Sequence, residues 1–252
     1  MGETIVFTSG KGGVGKTTTI ANIGAGLSQL DKKVVMLDTD MGLRNLDVVM
    51  GLEDQINYNL LDLLENKCRL NQALIRDKRF PNLYMIPASL KSIPMEKYQK
   101  AFASLVEYLK KEFDYCLIDC PAGIEQGFRF AISVADRAIL LTTPHIAAIK
   151  DASRVLMLLN ASNIPRVELI INEYEEKLVK RKYMLSQKDI EELFDIPVLG
   201  TIPRDTKVLI SQNRGIPVVT MRSKATRQFM YLSEQMIVEE DLEGEECIYD
   251  IS

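Results

Sequence analysis

An apolar strand that runs through a glycine-rich loop into a helix leaves a chain few folds to choose from. Here Ile5-Val6-Phe7 leads into Gly10-Lys11-Gly12-Gly13-Val14-Gly15-Lys16-Thr17-Thr18, and a helical pattern opens at Thr17. The loop fits the phosphate-binding spacing G-x-x-x-x-G-K-[ST]. Glycines at 10, 12, 13 and 15 let backbone N–H groups turn inward around an anion without Cβ clashes. The helix behind them aims the positive end of its dipole at the same place. Lys16 is then placed to reach β- and γ-phosphates, and the Thr17 hydroxyl to ligate Mg²⁺. The pattern implies a nucleoside-triphosphate site.

The second position of the loop is another cation, Lys11. Lys16 already serves the β/γ-oxygens, and from the outer bend Lys11 folds back poorly onto the same atoms. It is either a solvated surface lysine or a cation donated to the phosphates of a second molecule packed face to face. The latter is the logic of an arginine finger.

The rest of the chain suits an ordinary globular protein. Its 252 residues, 46% hydrophobic and 26% charged, are enough for one large domain. A net charge of −4 gives no overall nucleic-acid footprint. No apolar run approaches the ~18 residues that span a bilayer. Met1-Gly2-Glu3-Thr4 enters a strand at once, so no signal peptide is expected, and Val6 stands where a myristoylation signal has Ser or Thr. A cytoplasmic protein, either free or peripheral at the inner face of the cell membrane, is the expectation. Cysteines 68, 116, 120 and 247 form no C-x-x-C pair and His145 is the only histidine, so reduced thiols rather than zinc are expected. Cys116 and Cys120 read as small packing residues, and His145 as a loop or helix-start residue.

Near-continuous apolar, β-branched runs at 4–8, 33–38, 83–87, 115–119, 138–143, 167–172 and 198–202 read as strands buried on both faces. Helix-period segments at 17–30, 94–112, 127–135, 147–161, 186–194 and 222–238 lie between and after them. Strand then helix, repeated, predicts an α/β fold: a doubly wound, mostly parallel sheet with helices on both faces. Ligand then binds beyond the carboxyl ends of the strands. No repeat or linker interrupts 1–238, read as one domain; 239–252 form an acidic tail.

Two strands end in carboxylates where that rule wants them. Asp38 and Asp40, two residues apart, point to one side of a strand end. They suit a Mg²⁺-linked group and a water-orienting group, or else a capped turn before the next helix. The strand at 115–119 delivers Asp119 next to Cys120-Pro121-Ala122-Gly123, as a Walker-B aspartate followed by a nucleotide-sensing switch does.

Taken together, these motifs resemble the deviant Walker-A ATPases of the MinD/ParA group. The resemblance runs from about residue 4 to 238 and includes the loop with Lys11, the stretch Asp38 to Gly51, Asn82-Leu83-Tyr84, Pro87-Ala88-Ser89 and Asp119 to Gly123. It continues through Met184-Leu185-Ser186, Ile202-Pro203-Arg204-Asp205 and Asn213 to Val218. The segment Gly42-Leu43-Arg44-Asn45-Leu46-Asp47 and the Pro121 to Glu125 switch favour the division-site branch over the DNA-partitioning and flagellar-number branches. The resemblance implies a P-loop NTPase fold of the SIMIBI type, with ATP and Mg²⁺ as ligands. Lys11 would act between molecules, Lys16 on the β/γ-phosphates, and Thr18 on the α-phosphate, cradled by Gly12, Gly13, Val14 and Gly15. Thr17, Asp38 and Asp119 would serve Mg²⁺, Asp40 would position the attacking water, and Pro121, Ala122 and Gly123 would form the second switch. Asn172, Pro203 and Asp205 would contact adenine, and Asp151 would lie on the dimer and regulator surface. ATP would close a homodimer and hydrolysis, slow alone and stimulated by a partner, would open it, with regulators of the MinC/MinE kind.

The end of the chain departs from that group, whose division-site members usually close with a basic amphipathic helix that lies on the membrane. Residues 239–252 hold seven carboxylates and no Lys or Arg. An anionic leaflet attracts cations at ~1 kcal/mol each and repels such a tail, which speaks against direct membrane contact. The apolar cluster Cys247, Ile248, Tyr249 and Ile251 is too short for an interfacial helix, and the helix carrying Phe229, Met230, Leu232, Met236 and Ile237 reads as packed on the body. Without the tail's seven charges the net −4 becomes +3 for residues 1–238, with Lys177, Lys180, Arg181 and Lys182 as its densest basic run. That run is a solvated helix entry or a contact for lipid or a regulator; nucleic acid is a minor reading. A partitioning ATPase, or a dimeric adaptor holding a metal cluster through Cys120, are the alternative functions.

Overall fold

The computed structural model describes residues 1–91 and 93–246, with side chains through Ile237. The chain runs β1 (Glu3–Ser9), α1 (Lys16–Gln29), β2 (Val34–Asp38), α2 (Leu46–Met50), α3 (Leu60–Leu64), α4 (Leu70–Ala73), β3 (Ile75–Arg76), β4 (Leu83–Ile86), α5 (Gln99–Glu112) and β5 (Tyr115–Asp119). It continues through α6 (Gln126–Ile132), β6 (Arg137–Thr142), α7 (Ile146–Ala161), β7 (Arg166–Tyr174), α8 (Glu176–Lys180), α9 (Gln187–Phe194), β8 (Val198–Pro203), α10 (Thr206–Gln212) and α11 (Lys224–Glu246). The strands form one sheet in the order β3-β4-β2-β5-β1-β6-β7-β8, parallel except where β3 pairs antiparallel with β4.

Alternation along each strand explains why the central runs are apolar throughout. Ile5 and Phe7 of β1, Val34 and Met36 of β2, and Tyr115 and Leu117 of β5 face the layer made by α1 and α11. Val6, Val35, Leu37, Cys116 and Ile118 face the opposite layer, made by α5, α6 and α7. With both faces covered, β2 and β5 are buried along their whole length and β1 from Thr4 onward, and each large apolar side chain buried there contributes about 1.5–3 kcal/mol. Phe229, Leu232 and Met236 of α11 are buried against α1 and the sheet, as the sequence pattern leads one to expect.

The seven strands read from sequence form with bounds shifted by two residues or fewer. Differences gather in short elements. The helical pattern at 94–112 opens as a 3₁₀ turn, Glu96–Tyr98, before α5. The pattern at 222–238 continues as helical backbone to Glu246, into the stretch read as tail. Among the described residues six α-helices have seven residues or fewer, and five of them, α2, α3, α4, α8 and α10, give too few turns for a periodic signal. Strand β3, two residues long, is an edge with no pattern of its own. The reading of Cys247, Ile248, Tyr249 and Ile251 lies outside the described residues.

Candidate nucleotide site

Strand β1 sits between β5 and β6, with β2 beyond β5, so three strand ends deliver the P-loop, Asp119 and Asp38 to one place. In register, Phe7 pairs with Asp119 and Asp38 with Asp119, which sets the two carboxylates side by side on neighbouring strands. The loop turns on Gly13 (φ 79°) and Gly15 (φ 89°), left-handed values that only glycine adopts without strain. A Cβ on Gly15 would approach Asn172 Nδ2 to 2.3 Å, and one on Gly10 would meet the Asp151 backbone at 2.2 Å. Asp151, half-buried on α7, is thus pressed against the loop, with Arg154 as an ion partner at 3.8 Å. His145 is the residue before the first turn of α7, a helix start.

The two loop lysines have opposite surroundings. Lys11 is exposed. Lys16 is buried, with its Nζ 2.5 Å from Asp119 Oδ1. Burial alone would lower the Lys16 ammonium, but the Asp119 carboxylate holds it above the ordinary lysine value. Asp38 is buried too, and burial followed by the neighbouring Asp119 charge push it up to about 7. Its oxygens accept the N–H groups of Asp40 (2.9 Å), Asn45 (3.2 Å) and Leu46 (3.2 Å), so it clasps both feet of the loop that Asp40 opens. Burial also raises Asp40, against the pull of Lys16. One ammonium therefore faces three carboxylates, an excess of negative charge that suits a divalent cation.

Further bonds join the loops after β2 and β5 to the sheet and to neighbouring segments. Thr39 donates through N (3.0 Å) and Oγ1 (2.8 Å) to the Asp119 carbonyl. Gly123, at φ 90°, donates its N–H to the Ser9 carbonyl at 3.1 Å. Gly42 donates to Ser89 O at 2.8 Å, and Arg44 Nε meets the buried Asp47 carboxylate at 2.8 Å. A cavity of about 770 Å³ opens between the loops after β2 and β5, lined by Asp40, Leu43, Pro121, Ala122 and Ile124 among others.

On the other side of the P-loop a second cavity, of about 390 Å³, is lined by Gly13, Gly15, Thr18, Asn172, Pro203, Asp205 and Gln212. The phosphate loop forms one wall of this smaller cavity. The sequence-read adenine residues are all here, though two of their side chains are already occupied. Asn172 Nδ2 donates to Val14 O at 2.7 Å, and its Oδ1 accepts from Glu173 N at 2.8 Å. Asp205 accepts from Lys207 N (2.9 Å) at the start of α10 and from Lys224 N (3.1 Å) and Ala225 N (3.2 Å) at the start of α11. Burial opposes its charge, yet those donors hold it below the usual carboxylate range. Thr39 and Gln212 had no signal in the sequence.

A backbone contact ties the two sides together. Gly51, after α2, and Gly215, after α10, touch so closely that a Cβ on Gly51 would lie 2.5 Å from Gly215 O. The Arg79 guanidinium closes this junction, donating to Gly215 O at 2.8 Å, to Met50 O and to Asp77. Cys116 and Cys120 are buried, and burial pushes both thiols up to about 12. The basic run at Lys177, Lys180, Arg181 and Lys182 is exposed around α8.

A family model described as an AAA domain matches residues 2–167. The septum site-determining protein MinD of Synechocystis sp. is 49% identical over 219 residues, 87% of this chain and 82% of that protein. The chain belongs to the MinD family of septum site-determining ATPases. Like that family, it is an ATPase acting in division-site placement. Among solved structures, a chain of the MinC:MinD cell division protein complex of Aquifex aeolicus is 40% identical with a TM-score of 0.86, covering 93% of this chain and 95% of that one. The septum site-determining protein MinD of Pyrococcus horikoshii, complexed with Mg-ADP, is 30% identical with a TM-score of 0.83 over 94% of this chain and 96% of that one.

Proposed function

We propose that the protein works as a Mg-ATP-dependent dimerisation switch, with ATP as the link between two copies. The observation that carries this reading is the contrast within one loop: Lys16 is buried at the phosphate end while Lys11 stands exposed at the outer bend. A cation held away from its own site is available to the phosphates of a facing copy. ATP would draw Lys16 from Asp119 to the β/γ-oxygens, and Gly123 would exchange the Ser9 carbonyl for the γ-phosphate. Asp40, raised by burial and held by Asp38, would orient the attacking water. Thr17 and Asp119 fit a Mg²⁺ carried chiefly by phosphates and water, with Asp38 beside them. When bound, that ion would neutralise charge on the β- and γ-oxygens. Among the described residues no three His, Cys, Asp or Glu groups are arranged to hold a metal by themselves. That agrees with an ion that arrives with its nucleotide.

Loss of the γ-phosphate would remove the bridge and release the pair. The Asp151 face of α7 and the inter-switch cavity are the surfaces we assign to the second copy and to a MinC-like regulator. The body 1–238 would act as one domain with 239–252 as an acidic appendage, in the cytoplasm. No helix of the described residues is long and apolar enough to cross a membrane. The test compares sedimentation in ATP for the parent, Lys11→Ala and Asp40→Ala proteins. Lys11→Ala should bind ATP and stay monomeric, whereas Asp40→Ala should accumulate as ATP-bound dimer with hydrolysis reduced by about 10²-fold or more. Equal dimer content in the parent and Lys11→Ala proteins rejects the exchange of lysines between copies.

A further inference from the structure

Thr18 and Gln212 come from elements 194 residues apart in sequence and meet at the wall of the smaller cavity, where the Gln212 side-chain amide Nε2 donates to Thr18 Oγ1. A threonine hydroxyl has one proton to give and two lone pairs to receive with. Accepting from Gln212 uses a lone pair and leaves the proton without an assignment. A threonine on a helix commonly spends that proton on the carbonyl four residues back. The next residue does so: Thr19 Oγ1 donates to Gly15 O at 2.8 Å.

For Thr18 the corresponding carbonyl is that of Val14, and it faces Asn172 Nδ2 at 2.7 Å instead. Asn172 is itself fixed, since its Oδ1 accepts from Glu173 N. Among the described residues the Thr18 hydroxyl has no acceptor, although the residue is only 5% exposed. Two amides thus bracket one hydroxyl. One occupies the carbonyl that competes for its proton, and the other occupies an oxygen lone pair and limits how the group rotates.

We propose that Gln212 is a positioning residue for the α-phosphate of the nucleotide, acting through Thr18. The inference rests on the reading that Thr18 meets that phosphate. The acceptor chemistry that fits a buried hydroxyl proton beside a phosphate loop is an oxyanion, and the cavity on this side of the loop is where a 5′-phosphate joins its nucleoside. Asp205, which caps α10, and Gln212, which ends it, both line this cavity, so one short helix would reach both halves of that nucleoside phosphate. The α-phosphate is not the reacting centre, so the contact stabilises ground and transition states alike. Its loss should raise KM and Kd and leave kcat in place.

The test measures Kd for ADP by calorimetry, and kcat and KM for ATP, in Thr18→Val, Gln212→Leu, Gln212→Glu and the Thr18→Val/Gln212→Leu double variant. Gln212→Leu should weaken ADP about three- to tenfold with kcat unchanged. Gln212→Glu keeps the shape but offers an acceptor and a negative charge, so it should weaken ADP further than leucine does. The double variant should bind no worse than Thr18→Val, because the two residues act as one. If Thr18→Val weakens ADP while Gln212→Leu binds like the parent, or if Gln212→Glu binds like the parent, the role of Gln212 is overturned and the α-phosphate reading stands. If Thr18→Val itself binds like the parent, that underlying reading fails. Thermal midpoints without nucleotide identify a variant damaged in folding, and the isosteric Gln212→Glu then supplies the comparison.

Discussion

The sheet holds a buried ion pair at each end, and the two are built differently. At the carboxyl ends of the strands Lys16 meets Asp119, with Asp38 and Asp40 close by and the phosphate loop opening above. At the amino ends Arg137 of β6 meets Glu168 of β7, both side chains at 3% exposure or less. The second pair is cross-braced, with Arg166 Nη2 at 3.1 Å from Glu168 Oε1 and Glu3 at 3.9 Å from Arg137. Cations and carboxylates are matched there. At the nucleotide end they are not, and carboxylates predominate. A balanced pair is a permanent fixture; an unbalanced one is a site that expects further positive charge.

The contrast is broken most severely by removing each cation. Arg137→Met should cost about 3–5 kcal/mol in urea unfolding, because the buried Glu168 is then left with the partly exposed Arg166 as its partner. Lys16→Met should lose a comparable amount, but adding Asp38→Asn to it should restore part of the loss by lifting a neighbouring carboxylate charge. A Lys16→Met loss that Asp38→Asn leaves unchanged would erase the distinction.

A smaller effect sharpens it. Asp38 has an ordinary value of 3.8 and is held at about 7 when folded, so the folded state keeps the extra proton between these values. Its contribution to stability is complete below about pH 4 and is lost as pH rises through 7. The cost of Asp38→Asn in EDTA should therefore shrink between about pH 5 and pH 8, by on the order of 1–2 kcal/mol. A cost that stays level or grows with pH contradicts the burial of an uncompensated carboxylate. The smallest signal comes from thiols. Cys120 lies at the nucleotide end of β5 and Cys116 at its other end, both buried. In a Cys68→Ser/Cys247→Ser background, a thiol reagent in mild urea should modify Cys120 a few-fold faster than Cys116 if the nucleotide end opens first.

What the sequence disclosed followed how far each signal reaches. The phosphate loop is contiguous and its glycines are required by backbone angles, so Gly13, Gly15, Lys16 and Thr17 could be read directly. The sheet was legible because burial on both faces leaves an unbroken apolar run. Asp38 and Asp119 were legible as strand ends, but not the clasp Asp38 makes on Asn45 and Leu46, which depends on where a five-residue helix lands. Gln212 was invisible. Its partner Thr18 is distant in sequence, α10 is two turns long, and a glutamine in such a helix looks like any solvated residue.

The contact of Gly51 with Gly215, closed by Arg79, has a mechanical consequence. It leaves no side chain between them to act as a cushion. The helix α10, which lines the smaller cavity, and the segment running from Asp40 to Gly51 therefore meet backbone to backbone, so neither can shift without pressing on the other. An alanine at either glycine, both at a left-handed φ near 60°, would collide with the facing backbone and wedge the two segments apart.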